Sequence, residues 1–403
     1  MLRMTNFKMI NLKLLSIGYL LTIIFLFLYS FTQVDLSLTL SQWSVWQVVQ
    51  KFFQHIGYFD RPLSTVLYIS ILILLFVFYN TYLFLASKNE INKKQIWVLI
   101  IASAVILSFS YNAFSYDLFN YIFDAKIVTY YHQSPYIHKA LDYQGDPMLT
   151  FMHWTHRYYP YGPFWLVLTV PLSFIGFNFF LPTFFLFKFL ASLSYLGTAY
   201  FISKILNKIS AKTEIFGLIF FALNPLVIIE GLVSAHNEIP MMFFALFSLF
   251  LFLKRKIFSS LILIFLSIGI KFTTVFLLPV YIFSYFMQKN KKTISEDIIF
   301  SLIIFLMFVS VVVASIRTNF QPWYLLFVLP FAALIGRKYY IFIPSVTLSL
   351  FALLQYTPFL FKGDWNHPVP VILFWLTAGG IILSIAVTGA VYALNNIVRA
   401  RKK

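Results

Sequence analysis

The chain has 403 residues, of which 61% are apolar, 21% aromatic and only 11% charged, where soluble domains run at roughly 45–50% apolar and about 25% charged. That balance excludes a soluble globular protein, and the complete lack of Cys excludes disulfide frameworks, zinc–thiolate sites, iron–sulfur clusters and cysteine nucleophiles. A formal net charge of +17 would point to nucleic acid in a soluble chain. In a chain this apolar no nucleic-acid partner is expected, and the question becomes on which side of a bilayer the cations lie.

A helix crossing the roughly 30 Å hydrocarbon core needs about 20 mostly apolar residues. Twelve stretches come close, at about 12–32, 63–86, 95–114, 181–202, 215–230, 239–253, 257–270, 272–287, 297–316, 321–336, 341–360 and 370–393. The predicted fold is therefore all-α: a polytopic membrane protein of about 12 transmembrane helices, with 1–403 forming a single transmembrane domain. Arg3, Lys8 and Lys13 precede an apolar run without a small-residue cleavage site, which reads as an uncleaved first helix with a cytoplasmic basic flank. Alternating sides from there puts 21 Lys/Arg and four Asp/Glu in cytoplasmic segments, against eight Lys/Arg and nine Asp/Glu in outward ones. The whole positive excess falls on one side, as the positive-inside rule requires. A crossing by the run 163–180 would invert every later loop, so this run is expected to be re-entrant or interfacial. Both termini are then cytoplasmic and the number of spans is even.

Two outward segments are long enough to hold chemistry: a first loop, 33–62, and a second, 115–162, which continues through the interfacial run to make an outward loop of 115–180. All seven His also fall on this side. Asp117 and Asp124 lie seven residues apart, two helical turns, with Asn120 and Tyr121 between them on the same stretch. A carboxylate just beyond the bilayer can act as a general base if partial burial raises its pKa; two solvated acids paired with Lys126 or Arg157 are the plainer reading. Arg157 opens an aromatic and proline cluster through Tyr161 to Trp165, suited to stacking on a sugar ring or lining a lipid groove, and equally to an interfacial aromatic belt. His153 and His156, at helical i, i+3 spacing, could contribute to a divalent-metal site but have no clear third ligand.

Further along, Glu230, His236, Asn237 and Glu238 crowd a short outward turn between Pro225 and Pro240; ionisable groups at the mouth of a span mark a functional site unless they simply face water. Lys271 stands between two short apolar runs, and Arg317 opens the outward turn leading to Gln321, Trp323 and Tyr324. A cation at headgroup depth can hold a lipid phosphate, or merely snorkel. Lys188, seven residues into a span, is left without a role.

Taken in order, SYDLFNYIFDAK, QSPY, RYYPYGP, AHNE, IK and QPWY resemble the GT-C superfamily of integral-membrane glycosyltransferases, most closely its bacterial mannosyltransferase-like members and the mannosyltransferase of GPI assembly. The resemblance spans about 110–325. It implies a GT-C-like fold and transfer of a hexose, mannose-like, from a polyprenyl-phosphate donor to a hydroxyl of a glycan, lipid or protein acceptor at the outer face of the plasma membrane, with inversion. It further implies Asp117 as general base with Asp124 as a second catalytic acid, and a substrate-binding set of Asn120, Tyr121, Arg157, Tyr161, Glu230, His236, Asn237, Glu238, Lys271, Arg317, Gln321, Trp323 and Tyr324. Lys271 would meet donor phosphate. The sequence departs from the family pattern in two helices that precede Asp117 and in the lack of a soluble domain after the spans. No metal ligand set is expected, although a divalent ion stays open. A lipid-linked glycan flippase or another lipid-linked group transferase would share the composition; a transporter should carry polar groups midway along several spans, and apart from Lys188 these spans do not.

Overall fold

In the computed structural model, which describes residues 11–290 and 295–400, every regular element is helical and no strand occurs among the described residues. The basic residues Arg3, Lys8, Lys291, Lys292, Arg401, Lys402 and Lys403 lie outside them. Six stretches are long and apolar enough to cross a membrane, seven if a pair bent by 109° is counted as one. They are built on α1 (Leu12–Ser30), α3 (Arg61–Ser87), α7 (Phe180–Ser210), α12 (Glu296–Thr318), α14 (Tyr339–Leu354) and α16 (Val369–Ala400). The other apolar runs among the expected twelve form shorter helices. They are α4 (Lys93–Ser108), α8 (Glu214–Ala222), α9 (Glu238–Leu253), α10 (Ile257–Ile270) and α11 (Leu278–Lys289), and 321–336 breaks into 3₁₀ turns around a four-residue α13 (Leu329–Ala332).

The breaks have local causes. α1 and α4 start on Asn11 and Asn92, whose side chains accept the first free amides; α3 starts on Asp60 with a proline in its first turn. α7 and α8 form a hairpin, because the Tyr195 hydroxyl donates to the Ala222 carbonyl at 2.7 Å, which a continuous rod would hold about 40 Å apart. After α8, Asn224 and Pro225 stop the α-helix, and the chain passes into a π-helical turn, Val227–Val233, before bending sharply into α9.

Two loop helices depart from plain connection. α2 (Ser44–Tyr58) turns Val45, Val48 and Phe52 to the surroundings while Gln50 and Gln54 reach inward to carbonyls of Val34, Asp35 and Leu38, the arrangement of a helix lying in a membrane interface. α6 (Pro163–Ile175) follows α5 (Asp117–Thr129) and has 13 residues, short of a crossing. Phe177 and Asn178, both at positive φ, then turn the chain into α7.

The bundle has two chemically distinct ends. At one, Lys93 pairs with Glu214 at 2.5 Å, Lys338 with Asp297 at 2.6 Å, Lys208 donates to the Leu253 carbonyl and Arg337 to that of Ala86, so the basic loops converge there. At the other end lie α2, α5, α6 and the bend before α9. Between the ends the helix exteriors stay apolar, as with Phe258, Ile262 and Phe265 on α10 or Phe374 and Trp375 on α16.

Candidate functional site

The acids of the two distant motifs meet at the second end. Asp117 is the first residue of α5, with its amide donating to Ser115 Oγ; its side chain is 21% exposed. Its Oδ2 lies 3.6 Å from Nδ1 of His236, whose side chain is fully buried. Nε2 of the same ring lies 3.3 Å from Glu230 Oε2, and Glu238 Oε2 approaches Nδ1 at 3.9 Å. His236 stacks on Trp323 with ring centres 4.2 Å apart and planes 22° from parallel. Glu230 Oε1 accepts a 2.7 Å hydrogen bond from the Tyr356 hydroxyl.

Lys271, at the end of α10, is ion-paired with Glu238 Oε1 and sits 5.6–5.9 Å from the ring centres of Tyr161, Tyr324 and Phe327. Its side chain keeps partial exposure within that aromatic enclosure, beside the cavity in front of Asp117 but not in its wall. The approach of the two segments depends on Gly162, whose amide donates to the Ile270 carbonyl at 3.0 Å. A Cβ there would stand 2.3 Å from the Gly269 carbonyl oxygen.

A cavity of about 570 Å³ opens in front of Asp117, walled by Trp154, Asn319, Gln321, Trp323, Tyr356 and Trp365 among others. It adjoins an apolar groove of about 290 Å³ with which it shares Phe320, Gln355 and Thr377, and that groove shares Phe308, Leu325 and Leu348 with a third, about 350 Å³ in volume. Together they run between α12, α14 and α16 from Phe320 to Ser301, roughly 25 Å along α12.

Burial raises the Asp117 pKa above the ordinary carboxylate value; Glu238 adds to the rise, while His236, Lys271 and Arg157 oppose it. That combination keeps the carboxylate a better proton acceptor than a solvated one. Several polar atoms around it are buried without a hydrogen-bond partner: both His236 nitrogens, both amide atoms of Asn237, Asn120 Oδ1, and the Oε2 atoms of Glu230 and Glu238. Groups of this kind sit at sites that bind or move something, because leaving them unpaired elsewhere only costs stability.

Not every residue implied by the resemblance reaches the cavity. Gln321 and Trp323 line it with Asp117. Glu230, His236, Asn237 and Glu238 lie behind the wall, fully buried. Tyr121 is buried edge-on against Tyr161 and Trp165, and Tyr324 shares a hydrogen bond with Thr318. Asp124 lies two turns deeper, within electrostatic reach of Tyr159 and Tyr161, and burial pushes its pKa well up; it is absent from the cavity wall. Arg157 is exposed, its guanidinium 4.1 Å over Trp154. Arg317 is exposed in the last turn of α12 and lines none of the three spaces. His153 packs on Tyr116 at 3.8 Å, and among the described residues no three His, Asp or Glu side chains are grouped to hold a metal ion.

Sequence reasoning missed Tyr356 and Trp365 and left Lys188 without a role. Tyr356 reaches Glu230 across 126 positions, Trp365 closes the cavity, and Lys188 proves to be a brace. Fully buried, Lys188 donates to the carbonyls of Leu232 and, at 2.8 Å, Val233 at the end of the π-turn, and at 3.0 Å to Ser110 Oγ ahead of Asp117. Its position without an acidic neighbour in the sequence was the only available signal.

The fold and this site define a polytopic helical membrane protein with an acid–imidazole cluster set over a cavity at one end of the bundle. A family profile described as alpha-(1->6)-mannopyranosyltransferase, N-terminal domain (MptA_B family), matches residues 20–287. The chain belongs to that family and is a mannosyltransferase-type glycosyltransferase. The matched region holds Asp117, Glu230, His236, Glu238 and Lys271 and ends before Trp323 and Tyr356. Neither the curated proteins nor the solved structures contain a match to the chain.

Proposed function

We propose that the protein transfers mannose from a polyprenyl-phosphate donor to a hydroxyl acceptor, with inversion, at the outer face of the plasma membrane, in the manner of a GT-C enzyme. The observation that carries this reading is the junction of an aromatic-walled cavity holding the Asp117 carboxylate with a long apolar groove between α12, α14 and α16. A donor with a phosphosugar head and an isoprenoid tail needs both compartments in continuity, whereas a nucleotide sugar needs only the first.

Asp117 removes the proton from the acceptor hydroxyl as its oxygen attacks the anomeric carbon, and the polyprenyl phosphate departs with the bonding pair. A single displacement inverts configuration. Lys271, already held near Asp117 by Glu238, neutralises charge growing on the departing phosphate. The gathering of basic loops at the opposite end supports a cytoplasmic assignment for that end. Lys188, the charge that a transporter reading would need along a path, is occupied by backbone carbonyls.

Donor choice tests the reading. Purified protein given polyprenyl-phosphate mannose, polyprenyl-phosphate glucose and nucleotide-linked mannose, with a mannoside acceptor, should release polyprenyl phosphate from the first only. Turnover of the nucleotide-linked donor alone would contradict it.

A further inference from the structure

We propose that Glu230 and His236 form a buried proton-holding pair behind Asp117, in which Glu230 fixes the His236 tautomer and His236 Nδ1 receives the proton that Asp117 takes from the acceptor. The inference rests on the reading of Asp117 as the base. It comes from the order of the three groups: Asp117 Oδ2, the two ring nitrogens and Glu230 Oε2 form a chain with gaps of 3.6 and 3.3 Å. Only the Asp117 end touches the cavity.

Several elements converge on the imidazole, each with a group of its own. α5 supplies Asp117, the π-turn Glu230, and the start of α9 Glu238, whose other oxygen is committed to Lys271. The 3₁₀ turn after α12 stacks Trp323 on the ring face. Tyr356, the N-cap of α15 (Thr357–Lys362) just after α14, fixes Glu230 through Oε1 with its hydroxyl and leaves Oε2 turned to Nε2. Neither ring nitrogen forms a hydrogen bond, so the carboxylates at 3.3 and 3.6 Å decide where the ring's proton sits. Burial disfavours the charged ring, but Glu230, Glu238 and Asp117 outweigh it and hold the His236 pKa above the ordinary imidazole value; above that pKa the remaining proton sits on Nε2 facing Glu230 and the Nδ1 lone pair faces Asp117, a tautomer set by the group behind the ring.

The step balances. The acceptor O–H bond breaks and its proton goes to Asp117 Oδ2; the oxygen pair forms the bond to the anomeric carbon; the carbon–oxygen bond to phosphate breaks and its pair leaves on the polyprenyl phosphate. Asp117 then hands the proton to Nδ1, giving an imidazolium between two carboxylates and restoring its own charge. Gaps slightly beyond hydrogen-bond length in an unliganded site close in the reacting complex.

Glu230 is a positioning residue here, so its test must read protonation as well as rate. Glu230→Gln keeps the shape and removes the charge that favours a proton on the ring. Donor turnover should drop about 10²-fold, at the low end of what a proton-handling group contributes, and the acid limb of the kcat/KM profile, set by Asp117, should move to higher pH, because a less cationic imidazole holds the Asp117 pKa down less; Glu230→Asp should recover part of both. An acid limb left in place, at any rate, would overturn the pair. ¹⁵N-histidine solid-state spectra recorded above the His236 pKa, with His236→Gln assigning the signal, should show Nε2 protonated in the wild type and that preference lost in Glu230→Gln. A proton on Nδ1 in the wild type would also overturn it. Because the spectra need no substrate, they decide the pair even if no polyprenyl donor turns over, a result that would count against the donor reading alone.

Discussion

Replacing Gly162 by Ala should damage the enzyme through one contact. The residue has φ −73° and ψ 161°, a conformation open to any amino acid, so Ala there restricts the unfolded chain and by that effect alone would stabilise by about 0.4–1 kcal/mol. The structure predicts the opposite. The new methyl would stand 2.3 Å from the Gly269 carbonyl oxygen, about 1 Å inside ordinary contact, and both partners are backbone, so neither can rotate away. Overpacking of this kind costs about 1–3 kcal/mol, which outweighs the gain. The displaced segment carries Tyr161, and the segment it presses on carries Lys271. Misplacing a positioned group by about 1 Å can cost on the order of 10² in rate. Thermal unfolding in detergent and initial rates of mannosyl transfer should both fall. A Gly162→Ala protein as stable as the wild type and equally active would refute the claim that this approach positions Lys271.

Lys188→Met leaves the carbonyls of Leu232 and Val233 without their donor, at about 1–3 kcal/mol each; a lower unfolding temperature with loosened ¹H/²H exchange around 227–236 should result, and unchanged exchange would argue against the brace. Burial works to raise the Asp146 pKa, but Lys126, the Met148 amide and the Tyr131 hydroxyl more than offset it, so the carboxyl titrates below its usual value. The stabilisation it supplies is present above about pH 3.8 and is lost as pH falls through the depressed pKa; Asp146→Asn should lose it at neutral pH and flatten the acid side of the stability profile. Leu348→Trp, at the junction of the two apolar grooves, should raise KM for a long polyprenyl donor roughly tenfold, a difference of about 1.4 kcal/mol, and spare a short-chain donor; equal effects on both donors would detach the groove from the tail.

The helical class and the segregation of basic loops from chemistry-bearing segments follow from composition and charge order, and the structure places those groups at opposite ends. The meeting of Asp117 with His236 and Lys271 with Glu238 was legible only as motif order; no local rule links positions so far apart. The π-turn was illegible because α8 and the run after it are apolar on every side, so periodicity carries no phase there. The seven-residue spacing put Asp117 and Asp124 on one face correctly, but α5 begins at Asp117 and the cavity opens at its N-terminal end, which leaves Asp124 two turns inward. Arg317 shows the same limit, since whether a cation at a helix end turns to a cavity or away from it depends on neighbours supplied by other helices. The crossing count rested on apolar length, whereas Asn224, Pro225 and the turns at 271–277 and 322–327 break several runs into helices too short to be counted that way.

The central claim is that Asp117 is the base of mannosyl transfer. Asp117→Asn keeps the side-chain shape and removes the proton acceptor, so release of polyprenyl phosphate from polyprenyl-phosphate mannose, followed by mass spectrometry across pH, should drop by about 10²–10⁴-fold, equivalent to about 3–5 kcal/mol of barrier. The wild-type rate should decline as pH falls through the raised Asp117 pKa, above the ordinary carboxylate value of 3.8, and the variant should lack that limb. Equal turnover by the two proteins, with the acid limb unchanged, would contradict the account.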